Sequence, residues 1–230
     1  MFIQAWSLRG STHRKNNEPN QDSVSFNQTN RYAVVSTADG VGSCSSAFEG
    51  ALLAARTATE TLSENGTAAF SPELLLGAVA ETLKKQSEMT KKPLPDFSST
   101  LASVVWDRQE NKLFYLSLGD SLLLTVSRSG KCRILSEPCD STDGIPTTTH
   151  RNPAFYTQSR MLCADDIETV LILTDGAWRP MFYRTKMRKK LQDAIESGDF
   201  AYILSFLEKA DVSDDASVAI LSRHSCQSAV

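Results

Sequence analysis

The segment RYAVVSTADGVGSCSS (31–46) decides how this chain folds. Its first nine residues are rich in β-branched and small apolar side chains, which is typical of a buried strand. The predicted strand ends at Asp39, and the turn DGVGSCSS leads into residues 47–62, where small and apolar residues recur at helical spacing. A carboxylate therefore stands at a strand end beside Gly40, a residue without a side chain that lets the backbone approach a ligand closely.

The same arrangement recurs along the chain. Asp120 ends the strand pattern YLSLGD and Asp175 ends LILTD, while Asp214 and Asp215 precede ASVAIL and Asp22 precedes SVSF. A single Asp-Gly after a strand is an ordinary turn. Several carboxylates gathered where strands end would repel one another unless a cation neutralised them. Oxygen ligands without histidine or cysteine suit Mg²⁺ or Mn²⁺, so the recurrence predicts a metal site.

The rest of the pattern predicts a sheet-rich core with helices in two groups. Strand patterns cover residues 2–8, 23–26, 31–39, 99–107, 112–120, 121–128, 131–137, 169–175 and 216–223. Helical patterns cover residues 47–62, 71–91 with Ser71 as N-cap and Pro72 behind it, and 177–207 with a break at 197–199. Residues 9–22 and 137–155 are polar and rich in turn residues, so we expect loops there.

Two further expectations concern the second helical group. The basic run RTKMRKK (184–190) is interpreted as a solvated helix face, which is the usual role of a short charged run. Trp178 and Phe182 follow LILTDG closely, and we expect both to pack in the core rather than to bind a substrate.

Composition excludes several classes of protein. The 230 residues contain 24 basic and 27 acidic side chains, a net charge of −3, which argues against a nucleic-acid-binding surface. The five cysteines are odd in number and form no C-x-x-C, so neither a disulfide framework nor a zinc site is predicted. No apolar run is long enough for a signal peptide or a membrane span, so we expect a cytoplasmic protein with reduced thiols and no membrane partner.

Taken in order, the motifs resemble one family. They are NQDS (20–23), ADGVGS (38–43), SSTL (98–101), LGDS (118–121), LTDGAW (173–178) and DDASVAIL (214–221). The set is similar to the metal-dependent Ser/Thr protein phosphatases, also called PPM or type-2C phosphatases, and to a compact bacterial branch of them. The resemblance runs from about residue 9 to residue 221.

The resemblance implies an α+β fold, a four-layer α/β/β/α sandwich. Two central antiparallel sheets would be flanked by antiparallel helix pairs, with the helices near 47–62 and 71–91 on one side and those within 177–207 on the other. We expect residues 1–230 to form a single domain of this type, with a frayed tail at 224–230.

The resemblance also implies roles for individual residues. Asp39 bridges two metal ions, and the Gly40 carbonyl holds one of them. Asp175 and Asp214 hold the other ion, and Asp120 reaches a third. Asp22 matches the position that orients a metal-bound water, so Asp22 and Asp39 are the expected catalytic residues.

The implied activity is hydrolysis of phosphoserine and phosphothreonine in proteins by a metal-activated hydroxide, with Mn²⁺ or Mg²⁺ as cofactor. A phosphorylated protein is the expected substrate, a cognate Ser/Thr kinase is a candidate partner, and a monomer is expected. No arginine follows any cysteine at the C-x₅-R spacing, which excludes the cysteine-dependent phosphatases. Two alternatives remain open: a non-catalytic regulator of the same fold that binds phosphoproteins, and a phosphatase for small metabolites.

The chain departs from the family pattern near the expected phosphate. The family's phosphate-binding arginine falls at Asn17, and the family's histidine after the Asp-Gly pair falls at Val41. Arg14 and His13 are therefore the candidate phosphate-binding residues, with Lys15 as a competitor. The proton for the leaving group comes either from His13 or from metal-bound water.

Overall fold

Two five-stranded antiparallel sheets face each other and carry helices on their outer faces. The computed structural model describes residues 1–66, 71–139 and 144–223. The strands are β1 Phe2–Leu8, β2 Asp22–Gln28, β3 Tyr32–Asp39, β4 Leu101–Asp107, β5 Lys112–Leu118, β6 Leu122–Ser127, β7 Cys132–Ser136, β8 Gln158–Cys163, β9 Ile167–Leu173, β10 Phe182–Tyr183, β11 Lys186–Met187 and β12 Ala216–Ser222. The helices are α1 Ser11–Asn16, α2 Ala47–Asn65, α3 Pro72–Thr90, α4 Asp175–Trp178, α5 Lys189–Ser197 and α6 Phe200–Ala210.

The central strands are buried on both faces. One sheet has the order β1-β12-β9-β6-β7 and the other β2-β3-β4-β5-β8. In β4, Val104 and Trp106 point into the layer between the sheets, while Leu101 and Val105 face the helices on the outside. Because successive side chains of a strand point to opposite faces, a strand between two apolar layers is apolar throughout. This is why β4 is buried at every position.

The outer layers close the sandwich. The alanine-rich face of α2, together with Leu75 and Val79 of α3, packs on the sheet that contains β4. Leu191 of α5 and Ile203 of α6 pack on the sheet that contains β9. The four-layer α/β/β/α architecture predicted from the sequence is confirmed.

Local signals placed the long helices correctly. The Ser71 hydroxyl accepts a hydrogen bond from the Leu74 amide at 3.0 Å, and Pro72 stands at the first helical position of α3. The predicted break in the last helical group is also confirmed. Gly198 ends α5 with φ +76°, and the Asp199 side chain caps α6 by accepting from the Tyr202 amide at 3.1 Å.

Three parts of the prediction were wrong. Residues 9–22 contain the short helix α1, which buries no side chain and therefore shows no apolar period. The strand β8 was missed because it is an edge strand with mostly exposed side chains. Residues 177–188 are not a continuous helix: Pro180 ends the single turn of α4, and the hairpin β10–β11 follows.

The basic run therefore does not form a helix face. Residues 184–188 belong to the hairpin, whose turn contains Arg184 at φ +55°, and only Lys189 and Lys190 lie in α5. Trp178 and Phe182 pack against the core beside β9, as predicted. The four cysteines in the part that the structure describes are all free. No helix within the described ranges has the length and apolar character needed to span a membrane. The tail 224–230 lies outside the described residues.

Candidate active site

The predicted carboxylates meet at one end of the two sheets. Asp39 is the last residue of β3, Asp120 precedes β6, Asp175 follows β9 and Asp214 precedes β12. All four side chains line one cleft of about 790 Å³. The fifth carboxylate, Asp22, is the first residue of β2 and pairs directly with Asp39 across the two strands. The structure therefore brings residues from five separate segments to one rim.

Two glycines allow the segments to approach so closely. A Cβ on Gly40 would lie 2.6 Å from the Ala47 carbonyl oxygen, at the start of α2. A Cβ on Gly176 would lie 2.0 Å from the carbonyl oxygen of Asp215. Both positions therefore require glycine, and the Asp-Gly pairs of the sequence serve close backbone packing at this rim.

Burial and mutual repulsion raise the pKa values of these carboxylates. Burial raises the pKa of Asp22 to about 7, Asp215 and Asp175 add to the effect, and hydrogen bonds from Thr174 and Ser217 oppose it. The pKa of Asp39 lies well above its usual value because of burial and the neighbouring charges. Burial also raises the pKa of Asp120 to about 6, with a further contribution from Asp175.

The pKa of Asp214 is raised as well, by burial first and by Asp175 second. Four carboxyl groups at one rim therefore resist ionisation together. A divalent cation would offset this effect, because its positive charge favours the ionised carboxylates.

Several buried oxygens at this rim lack a hydrogen-bond donor. Within the ranges that the structure describes, Asp22 Oδ1, Asp175 Oδ1 and Gln21 Oε1 are buried and accept no hydrogen bond. Leaving such an acceptor unsatisfied costs about 1–3 kcal/mol each. Acidic and amide oxygens are the donor atoms that Mg²⁺ and Mn²⁺ prefer, so the donor set fits a divalent metal. Among the described residues, no group of three or more His, Cys, Asp or Glu side chains is already arranged to hold a metal ion. Side chains at the rim would therefore have to move when metal binds.

Arg179 is a site residue that the sequence reasoning missed. Its guanidinium Nη2 lies 3.1 Å from Asp175 Oδ2 and 3.3 Å from Asp120 Oδ2. The guanidinium also lies 5.7 Å from the centre of the Trp178 ring. The detectable signal was the i, i+4 spacing from Asp175, since such pairs meet on a helical turn. Arg179 thus supplies a positive charge among carboxylates that repel one another.

Asp215 was noted only as a neighbour of Asp214, and it organises the loop at the cleft. It is 2% exposed, and Oδ1 accepts from the Gly10 amide at 2.6 Å. Oδ2 accepts from the Gln21 amide and contacts His13 Nδ1 at 2.8 Å. One carboxylate therefore ties both ends of the 9–22 segment to β12 and holds the His13 ring at the cleft, which His13 lines.

The structure separates the two candidate phosphate-binding residues. His13 lines the cleft, whereas Arg14 does not. The Arg14 guanidinium instead contacts the carboxylate of Asp211 and the carbonyl of Arg9. Asn17, at the position of the family's arginine, ends α1 in the left-handed conformation with φ +57°. In this arrangement the Arg14 guanidinium therefore lies outside the lining of the cleft.

The sandwich and its carboxylate-lined rim define a metal-dependent phosphoester hydrolase. The family described as protein phosphatase 2C matches residues 9–226, so the chain belongs to this family of metal-dependent protein phosphatases. No curated protein sequence matches the chain.

Solved structures with the same fold include bacterial phosphatases. A bacterial serine phosphatase has a TM-score of 0.70 at 10% identity, covering 99% of this chain and 99% of its own. The serine/threonine phosphatase Stp1 from Staphylococcus aureus has a TM-score of 0.65 at 11% identity, covering 97% of this chain and 95% of its own. RsbX in complex with magnesium has a TM-score of 0.60 at 15% identity, covering 95% of this chain and 92% of its own. At such identities the likeness concerns the fold.

Proposed function

We propose that this chain hydrolyses phosphoserine and phosphothreonine in proteins at the carboxylate-lined cleft, with two Mn²⁺ or Mg²⁺ ions as cofactors. One observation carries the proposal: carboxylates from five segments converge at one rim, four of them have raised pKa values, and some of their buried oxygens have no donor among the described residues. The magnesium complex of RsbX, a protein of similar fold, supports the choice of ion.

The ligand roles follow from the match to the family's motifs. By that match, Asp39 and the Gly40 carbonyl would hold one ion, and Asp39, Asp175 and Asp214 would hold the second. Asp120 would serve a third ion. When bound, such dications lower the pKa of water and polarise phosphoryl oxygens.

Asp22 orients the attacking water. Its Oδ2 accepts a hydrogen bond from the Thr174 hydroxyl at 2.7 Å, which fixes the carboxyl plane. Its Oδ1 is buried and accepts nothing from the described residues, so this oxygen is available to a water hydrogen. Thr174 in turn accepts from the Ser217 amide at 2.8 Å, which anchors the arrangement to the backbone of β12.

His13 is the proposed proton donor to the leaving alkoxide and one of two proposed phosphate contacts. Its Nδ1 lies 2.8 Å from the Asp215 carboxylate, a contact that fixes the orientation of the ring. Arg14 is the second proposed phosphate contact, and it binds phosphate only when its guanidinium leaves Asp211. The guanidinium fork would then hold two phosphoryl oxygens at once.

The proposal extends to the partners. A phosphorylated protein is the substrate, and a Ser/Thr kinase that phosphorylates it is the proposed counterpart enzyme. We propose that the chain acts as a monomer with a single domain over residues 1–230.

Turnover of p-nitrophenyl phosphate and of a phosphothreonine peptide, each with Mn²⁺, Mg²⁺ or EDTA, tests the proposal. We expect metal-dependent turnover of both, and its loss in Asp39→Asn and Asp175→Asn, because an amide of equal size keeps the packing but removes the charge that holds the metal. Asp193→Asn is the matched control, since Asp193 is exposed on α5 and pairs with Lys189 on the same helix. Circular dichroism checks that each variant is folded.

The other outcomes separate the alternatives. Full activity in EDTA or in either site variant would contradict the assignment. Peptide binding without turnover would favour a non-catalytic phosphoprotein-binding regulator, and turnover of small phosphate esters without the peptide would favour a metabolite phosphatase.

A further inference from the structure

A second large pocket lies at the opposite end of the sheets from the carboxylate cleft. It has a volume of about 830 Å³ and is lined in part by Arg108 after β4, Arg128 after β6 and Arg223 after β12. The cleft carboxylates stand at the other ends of the same strands, Asp120 before β6 and Asp214 before β12. Seven residues of strand span about 23 Å, so the two sites are about 20 Å apart.

One of the three arginines is fixed firmly. Arg223 donates from Nε to the Ile167 carbonyl at 2.8 Å and from Nη2 to the Ala164 carbonyl at 2.7 Å and to Asn111 Oδ1 at 2.6 Å. Its guanidinium lies 4.7 Å from the centre of the buried Trp106 ring. This side chain is therefore held in place before any ligand arrives, which lowers the entropy cost of binding.

The other two arginines have unused hydrogen-bonding capacity. Arg108 donates to the Thr29 carbonyl, but its Nε is buried and donates to nothing in the described part of the chain. Arg128 is exposed at the pocket, and its side chain makes no hydrogen bond or salt bridge with any residue that the structure describes. A buried N–H without an acceptor is costly, and an acceptor supplied by a ligand would remove that cost.

The charge at this pocket selects an anion. The side chains that line the pocket include three guanidinium groups and one carboxylate, that of Glu168, an excess of two positive charges. The Asp165 carboxylate is outside the lining and interacts electrostatically with Arg128 and Arg223. Guanidinium groups offer paired N–H donors that match the oxygens of a phosphate group, and such charge-assisted hydrogen bonds are the strong ones in proteins. Trp106 is 1% exposed, so its ring supports Arg223 and is not available for stacking with a base.

We propose that this arginine pocket (Arg108, Arg128 and Arg223) binds a phosphate-class dianion, either free phosphate or the phosphate group of a phosphorylated protein. The pocket is separate from the catalytic cleft, and the proposal does not depend on the chain being an active phosphatase. The molecule then has a basic site at one end of the sheets and the acidic cleft at the other.

Isothermal titration calorimetry of the metal-free protein in EDTA, at low ionic strength, tests the proposal. The probes are inorganic phosphate and a phosphothreonine peptide with its unphosphorylated counterpart. In the absence of metal the carboxylate cleft repels phosphate, so binding there does not mask the pocket. The variant Asp39→Asn, which changes only the cleft, should bind phosphate as the wild type does.

Arg128→Gln is the main test variant, because Arg128 is exposed and makes no contact on which folding depends. We expect it to weaken phosphate binding at least tenfold, and Arg108→Gln combined with Arg128→Gln to abolish it. Arg133→Gln is the matched control: Arg133 is exposed on β7, outside the pocket, and the change removes the same charge.

The outcomes are decisive either way. Binding of the phosphopeptide in preference to phosphate, lost in Arg128→Gln, identifies a phosphoprotein ligand, and binding of phosphate alone identifies the free anion. No binding at millimolar phosphate, equal affinity in the wild type and Arg128→Gln, or loss of binding in Asp39→Asn would overturn the proposal.

Discussion

Replacing Asp22 by asparagine should make the metal-free protein markedly more stable at pH 8 and change its stability little at pH 4. Asp22 is 4% exposed and stands opposite Asp39 in the β2–β3 pair. Burial is the main cause that raises its pKa to about 7. Asparagine has almost the same shape and still accepts from the Thr174 hydroxyl, but it carries no charge that burial would penalise.

The magnitude follows from the two pKa values. The usual carboxyl pKa of 3.8 applies in the unfolded chain and about 7 in the folded one. The folded state therefore binds the proton more tightly, so the stability that this proton provides is complete below pH 3.8 and is lost as the pH rises to 7. Three pKa units correspond to about 4 kcal/mol, which is the expected gain of Asp22→Asn at pH 8, against about 0.5 kcal/mol at pH 4.

Urea or thermal unfolding in EDTA at pH 4, 6 and 8, followed by circular dichroism, measures this difference. A gain of about 4 kcal/mol in a chain of this length raises Tm by roughly 8–16 °C at pH 8. Asp193→Asn, at an exposed position, is the control and should leave the pH profile unchanged. If the free energy of unfolding of Asp22→Asn changed with pH in the same way as that of the wild type between pH 4 and 8, the reasoning would be refuted.

Three further predictions concern the same cleft. Mn²⁺ should raise Tm of the wild type, since a ligand at 100 times its Kd stabilises the folded state by about 2.7 kcal/mol; a Tm unmoved by millimolar Mn²⁺ would show that the aspartates form no site. Arg179→Ala should tighten Mn²⁺ binding roughly two- to fivefold in calorimetry, because metal must otherwise displace the guanidinium from Asp120 and Asp175; an unchanged Kd would mean that solvent already screens these pairs. Arg14→Ala should raise KM for a phosphopeptide about tenfold. Asp211→Asn should lower KM, because it frees the Arg14 guanidinium from its ion pair. If neither variant changes KM, Arg14 does not contact phosphate.

The sequence by itself determined most of the strands and the long helices. Strands such as β4 lie between two apolar layers, so their residues are apolar or small up to the last position and the segment is recognisable without its neighbours. The cap at Ser71 and the break at Gly198 depend on side-chain and backbone chemistry within a few residues. The positions of the aspartates at strand ends are equally local, which is why they were found.

Only the tertiary structure decided the elements whose stability comes from distant contacts. The helix α1 buries no side chain. The amide of its first residue, Ser11, donates to the carbonyl of Val212 at 2.9 Å, a residue that is distant in the sequence. The exposed edge strand β8 is defined by pairing with β5, since its own residues show no apolar alternation.

The same holds within the site. The contacts of Asp215 with Gly10 and His13, and of Arg14 with Asp211, join residues about 200 positions apart, and no local pattern encodes such pairs. Arg14 and His13 are neighbours in the sequence, yet Arg14 contacts Asp211 and His13 lines the cleft. The reason is physical. A charged side chain pairs with an opposite charge that lies within a few ångströms of it, and only the fold determines which charges come that close.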